Sequence, residues 1–311
     1  MSRLALLLLT GCATDFSLQE LTGPQSEGDD TAAPEETTPA PQAEDTGDTG
    51  EPTEPANDEG KDEDEPSYEE DPPEDDCTET SDLIYVIDRD NSTLYLFDPD
   101  SRAFTVEGQI SCGGGSPGSM AVSRSGTAYV RYSDESLYAV DLATLSCSLT
   151  EYRSPNGFGS FGMGYATDDA DTWRDELYIA DSDRVGQLDT GNWQLNLLGN
   201  MPSQSELTGN SAGELWAFLP LESPAALAEL DKDTGAELQR IRLNGFPSLS
   251  DIDTFAFAAW GGEFWLFVRT YGMGSSTDVY RVGTDGVLQR VLEDVGFDVV
   301  GAGVSTCAPS E

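Results

Sequence analysis

From about Ser81 onward the chain repeats a unit of four short segments, and this repeat constrains the fold more than any other feature. One copy reads SMAVSRSGTAYVRYSDESLYAVDLATLSCSLTEY (119–152). It holds a small-residue strand, a Gly turn, the alternating strands TAYVRY and SLYAVDL, and a last strand CSLTEY. Alternation of apolar and polar residues is the period of a strand buried on one face. A second copy begins FGMGYA, continues DELYIADS and RVGQLDT, and ends QLNLLGN. A third runs SELTGNSAGELWAFLP, AALAELDKDTG and AELQRIRL. A fourth runs TFAFAAWGGEFWLFVRT, TDVYRVGTDG and VLQRVLEDV. Each copy carries a Gly-ended turn, an aromatic-rich strand (TAYV, ELYI, ELWAF, EFWLF) and a hairpin closed by Asp, Thr or Gly. Only SPAALAELDK (223–232) holds a helical period, and it is short. A spacing of about 40–47 residues is that of a four-stranded propeller blade.

The first unit lacks a part. DLIYVID, STLYLFDPD and AFTVEGQI supply three strands with no small-residue strand ahead of them, and FDVVGAGVSTC at the far end is such a strand with nothing after it. Joining the two completes a blade, closes the ring and removes the open strand edges. The sequence therefore predicts an all-β protein, a five-bladed β-propeller over 81–309 with its ring closed by the C-terminal strand. Roughly 228 residues divide well by five at this repeat length, which favours five blades over six.

Cysteine placement follows from the repeats. Cys77 lies just before the first strand and Cys307 just after the last, so a Cys77–Cys307 bond would clasp the closure. Cys112 ends the first unit and Cys147 opens the last strand of the second, so Cys112–Cys147 joins neighbouring outer strands. Four cysteines allow three pairings, and the repeat selects this one. Paired cysteines suit an oxidising compartment. There is no CxxC pair to suggest a metal site.

Upstream, residues 13–80 read as a disordered acidic linker rich in Pro and Thr. About 25 of the 59 acidic residues fall there, with a single Lys, and almost nothing apolar offsets the entropy of ordering. Proline and like-charge repulsion predict an extended spacer. The net charge of −44 argues against nucleic acid as a partner, since such binding needs Lys and Arg on phosphates. The chain contains no His, which excludes Ser-His-Asp and Cys-His catalysis and His-ligated zinc within it.

Chemistry is harder to find. The innermost strands begin near Ser119, Phe161, Glu206, Asp253 and Asp298. Glu206 and Asp253 come from neighbouring blades and are the candidate carboxylate pair at the channel mouth. A glycosidase needs two such groups flanking a sugar; the alternative is a pair of solvated loop acids. The glycine-rich GFGSFGMGYA (157–166) is either a ligand-binding mouth lined by Phe158, Phe161 and Tyr165, together with Ser119, or a close-packed inner strand. Asp-x-Asp turns at Asp88 and Asp90, and at Asp231 and Asp233, are candidate calcium ligands, although Asp favours tight turns for local reasons. None fits a full calcium loop, so no cofactor is expected beyond a possible calcium ion. Trp173, Trp193, Trp216, Trp260 and Trp265 read as blade packing.

The first twelve residues form a short secretory signal: Arg3, a leucine run, then Leu9-Thr10-Gly11-Cys12. This resembles the lipobox of bacterial lipoproteins at every position. The resemblance implies cleavage before Cys12, acylation of that residue and membrane anchoring by its acyl chains. Ala13 rather than Asp follows the cysteine, which in that family implies the outer membrane of a Gram-negative bacterium. GFGSFGMGYA, VVGAGVSTCAP (299–309), the paired cysteines and the Pro/Asp/Thr-rich leader also resemble a group of predicted lipoproteins from myxobacteria and their relatives. That resemblance covers most of 77–309 and implies fold and address, with no activity. The expected function is binding or scaffolding of a protein or glycan through a propeller face. The alternatives are a carboxylate-dependent glycoside hydrolase and a purely structural envelope component.

Overall fold

Strands form where the sequence alternates, and each pairs with its neighbour along the chain. The computed structural model describes residues 77–78, 82–168, 174–272, 275–283 and 285–310. Blade 1 contains β1 (Ile84–Asp88), β2 (Thr93–Asp98) and β3 (Ala103–Gln109). Blade 2 contains β4 (Pro117–Val122), β5 (Thr127–Tyr132), β6 (Leu137–Asp141) and β7 (Ser146–Leu149). Blade 3 contains β8 (Gly162–Thr167), β9 (Asp175–Ala180), β10 (Arg184–Leu188) and β11 (Leu195–Asn200). Blade 4 contains β12 (Glu206–Gly209), β13 (Leu215–Leu219), β14 (Ala226–Leu230) and β15 (Glu237–Arg242). Blade 5 contains β16 (Ile252–Trp260), β17 (Glu263–Thr270), β18 (Thr277–Val282) and β19 (Leu288–Leu292).

The last strand, β20 (Val299–Gly303), leaves blade 5 and pairs antiparallel with β1, placing Tyr85 opposite Gly303 and Ile87 opposite Gly301. Five antiparallel four-stranded sheets result, with β20, β4, β8, β12 and β16 innermost. This is a five-bladed β-propeller closed by its C-terminal strand. Cys12 and the lipobox, and the acidic linker except for Cys77 and Thr78, lie outside the described residues.

The burial pattern follows from stacking sheets face to face. Sheets that stack on both faces bury whole strands, and β1, β8, β12, β13 and β20 are buried at every position. Strand β5, second in blade 2, instead alternates buried and half-buried residues. Outer strands such as β3 and β7 are largely exposed. A hydrophobic cluster fills each seam between blades. Ile84, Val86 and Phe97 meet Trp265 and Phe267 at the closing seam. Trp216, Phe218 and Leu227 meet Phe257, Phe264 and Leu266 between blades 4 and 5. Each such side chain contributes about 1.5–3 kcal/mol on burial.

The helical period at 223–232 is overridden. Ala226–Leu230 forms β14, central in blade 4, and hydrogen-bonded partners on both sides outweigh local propensity.

Both disulfides form as the repeat requires. Cys77–Cys307 has its Cα atoms 5.8 Å apart and closes 230 residues. Cys112–Cys147 has them 5.4 Å apart and closes 35 residues. The first clasp lies on the face where inner strands end, beside the hairpin that returns from β4 into β5: the Thr78 amide donates to the Arg124 carbonyl. This face is called the clasp face below. The connections between blades cross the other face.

Candidate functional site

Inner strands expose one edge to the ring axis, and their backbone groups need partners. Side chains of neighbouring blades supply them. The Thr208 hydroxyl accepts from the Ala259 amide at 3.0 Å, and the Thr254 hydroxyl donates to the Val299 carbonyl at 3.1 Å. Ser119 links three blades: its hydroxyl accepts from the Met163 amide at 3.1 Å and donates to the Glu206 carboxyl at 2.6 Å. Between blades 3 and 4 the strands approach so closely that only glycine fits. A Cβ on Gly164 would lie 2.6 Å from the Leu207 carbonyl. The inner strands are therefore tied closely to one another by small residues and hydrogen bonds, with Ser119 and Glu206 joining three blades.

Glu206 is 7 % exposed. Burial pushes its carboxyl up to about 8, against the lowering influence of the Ser119 hydroxyl, Arg131 and the Met163 amide. Arg131 is itself held below its ordinary value by burial, partly offset by Glu206, Tyr152 and Glu135. Its guanidinium lies 6.0 Å from the centre of the Phe161 ring.

Asp253 does not join Glu206. It pairs with Arg89 at 3.2 Å and with Arg269. The same two arginines hold Asp298, at 2.7 and 3.0 Å. This four-charge square spans the closing seam on the face opposite the clasp. The two candidate carboxylates thus have separate partners: Ser119 for Glu206, and Arg89 with Arg269 for Asp253.

The candidate mouth residues of GFGSFGMGYA are core. Phe158 is 0 % and Phe161 1 % exposed, packed with Met163, Tyr152 and Ile179 between blades 2 and 3. Arg184 covers the Phe158 ring at 4.4 Å. Tyr165 is buried as well, which raises its hydroxyl pKa, although it also borders a cleft with Tyr129 and Arg174. A mouth would need these rings open to solvent, and the seam needs them inside.

The Asp-x-Asp turns carry local hydrogen bonds. Asp88 accepts from the amides of Asp90 and Asp298, and Asp90 lies 3.9 Å from Arg89. Asp231 accepts from the amides of Asp233 and Thr234 and from the Thr234 hydroxyl. The oxygens close turns and do not converge on a shared point. Among the described residues no set of three or more carboxylate or thiol groups does so.

A concavity with aromatic and carboxylate walls lies elsewhere. On the clasp face, between blades 4 and 5, a cleft of about 370 Å³ is lined by Asn210, Glu214, Trp216, Gln239, Ile241, Trp260, Glu263, Phe264, Ala308 and Pro309, among others. Its volume lies within the ~300–1,000 Å³ range of small-molecule sites. Four fixed arrangements build it. The Trp216 and Phe264 rings pack at 4.7 Å. Glu214 accepts from Asn210 at 2.8 Å and from the Trp216 indole at 3.2 Å. Trp260 donates to the Asp82 carbonyl at 2.5 Å. The C-terminal segment covers one end, with the Gly261 amide bonded to the Pro309 carbonyl at 2.7 Å. A second cleft of about 410 Å³, lined by Arg281, Asp285, Val287 and Gln289, adjoins the first through Gly262 and Glu263.

Trp216 and Trp260 read from sequence as packing alone, and Asn210, Glu214, Gln239 and Glu263 drew no attention there. A signal was present. GELW (213–216) and GEFW (262–265) place Gly-Glu-apolar-Trp at matched positions of consecutive blades, so both acids stand at the start of a second strand on the clasp face.

No family model matches this chain, and no curated protein does. Among solved structures it is similar to a structural-genomics protein of unknown function from Bacteroides thetaiotaomicron. Identity is 15 %, over 71 % of this chain and 58 % of that one, with a TM-score of 0.42. It is also similar to TolB from Acinetobacter baumannii, at 17 % identity over 68 % of this chain and 51 % of that one, with a TM-score of 0.40. The chain thus matches little more than half the length of either.

Proposed function

We propose that this protein is a lipid-anchored envelope protein that binds a ligand in the cleft between blades 4 and 5. One observation carries the binding site: the clasp face holds a cleft whose aromatic and carboxylate walls are fixed by ring packing and hydrogen bonds. A binding role also fits the carboxylates, because Glu206 and Asp253 are each engaged by separate partners. The anchor rests on Leu9-Thr10-Gly11-Cys12. Acyl chains on Cys12 would hold the protein at the membrane, and the acidic linker would extend away from it, for an outer-membrane address.

Two experiments test this reading. A photo-crosslinking residue is placed in cells at Ala212, on the cleft, or at Leu249, exposed on the opposite face. Crosslinks from position 212 that disappear with Trp260→Ala support the cleft. Crosslinks from position 249 alone overturn it. For the anchor, Cys12→Ala is expected to move the protein out of the membrane fraction, and unchanged partitioning refutes lipidation.

A further inference from the structure

Resting on the cleft reading, we infer that the joined clefts of blades 4 and 5 bind a neutral glycan chain. Four observations point to that chemistry. First, no Lys or Arg lines the first cleft, and Glu214 and Glu263 do. The only cation in the second, Arg281, is held by Glu263. An anionic ligand would meet carboxylates with no counter-charge, in a protein whose net charge is already −44.

Second, the polar groups are rich in acceptors held in fixed directions. Glu214 is oriented by Asn210 and the Trp216 indole, Glu263 by Arg281 and Gln239 by Glu229. Carboxylate and amide oxygens retain lone pairs after accepting one or two bonds. They match ligand hydroxyls, which donate. Sugars present many hydroxyls in a rigid array, so little conformational freedom is lost on binding.

Third, Trp260 lines the first cleft with its indole N–H committed to the Asp82 carbonyl. That bond fixes the ring, which packs in part against the closing-seam cluster and offers the cleft what remains exposed of its surface. The C–H face of a pyranose carries partial positive charge and packs on such a surface, while its hydroxyls point outward to the polar walls.

Fourth, the site is elongated. Two clefts of similar volume meet at Gly262 and Glu263, which suits a linear chain with one sugar on each side of the hairpin better than a single small molecule. The alternative occupant is a basic peptide, which the carboxylates would also attract. A peptide bound in extended form draws affinity from a free strand edge; outer strand β15 reaches the first cleft through Gln239 and Ile241, but most of the lining comes from the hairpins that open β13 and β17 and from the C-terminal segment.

The test is binding of the full mature chain to maltohexaose, cellohexaose and chitohexaose, followed by tryptophan fluorescence and calorimetry. Polygalacturonate serves as the anionic probe and hexalysine as the peptide probe. At least one neutral hexaose is expected to bind and to shift Trp emission. Trp260→Ala should weaken it at least tenfold, and polygalacturonate should not bind. Gln239→Ala, at an exposed position, guards against misfolding and should weaken the same sugar several-fold with an unchanged thermal melt. Hexalysine binding that is lost in Trp260→Ala, without sugar binding, overturns the glycan and leaves the cleft standing. Sugar binding indifferent to both substitutions overturns cleft and glycan together. Absence of binding to all three hexaoses overturns the glycan inference, and crosslinking from position 212 then judges the cleft separately.

Discussion

Glu206→Gln should make the propeller less sensitive to alkali. In the folded protein the Glu206 carboxyl is pushed up to about 8, from an ordinary 4.5, chiefly by burial. A raised pKa means that the fold favours the protonated form. The stability this contributes is fully present below about pH 4.5 and is lost as pH rises through about 8. Each pH unit across that window is worth about 1.4 kcal/mol, so the full span is worth about 5 kcal/mol, and about 4 kcal/mol of it falls between pH 5 and pH 9. Glutamine has nearly the same shape, still accepts the Ser119 hydroxyl, and does not titrate. The assay is urea unfolding of both proteins at pH 5 and pH 9, followed by Trp fluorescence. Every other acid titrates in both proteins, so the difference between them isolates this site. The wild type should lose about 4 kcal/mol more than the variant between the two pH values. A difference that changes by less than ~0.5 kcal/mol, the scatter of additive sites, would refute the reasoning. It would mean that Glu206 is ionised at neutral pH and that Arg131, not burial, dominates its environment.

Replacing Cys77 and Cys307 together by serine should cost about 5 kcal/mol, and replacing Cys112 and Cys147 about 4 kcal/mol, because chain-entropy stabilisation grows with loop length. Denaturant midpoints of the two double variants should fall in that order. Gly164→Ala sets a Cβ against the Leu207 carbonyl at 2.6 Å. It should cost about 1–3 kcal/mol or more by overpacking, measured by thermal melt. Arg269→Met leaves Asp253 and Asp298 sharing Arg89 alone. These groups retain some contact with solvent, so the expected loss is about 2 kcal/mol, below that of a fully buried pair. Chemical denaturation at low ionic strength measures it.

The blades were legible because alternation, Gly turns and Asp-closed hairpins repeat at a fixed spacing, and those signals are local. Ring closure was legible for a different reason: one end lacked a strand and the other had one to spare. Glu206 was correctly placed at the start of an inner strand, but its partner was not foreseen. Ser119 stands 87 residues upstream and two blades away, and their meeting depends on how tightly glycine lets the inner strands converge. Asp253 was placed at the same level for the same reason, yet Arg89 is 164 residues distant and reaches it only because the ring closes. Phe158 and Phe161 show the limit of composition, since a Gly-aromatic segment reads alike as an open mouth and as a seam. The cleft draws on two blades and the C-terminal segment, so no contiguous stretch announces it.

The Cys77–Cys307 clasp has a mechanical consequence. Strand β1 begins, and its neighbour β20 ends, on the same face of the ring, and the disulfide ties those two ends together. A pull on the leader therefore enters both strands at once and in the same direction. It cannot unzip one from the other, because their near ends are covalently joined. Instead it loads the pair in shear, along the hydrogen bonds to β2 and the packed surfaces of the neighbouring inner strands, so many contacts must fail together. With the disulfide reduced, the same pull would act on β1 alone and open blade 1 from its end.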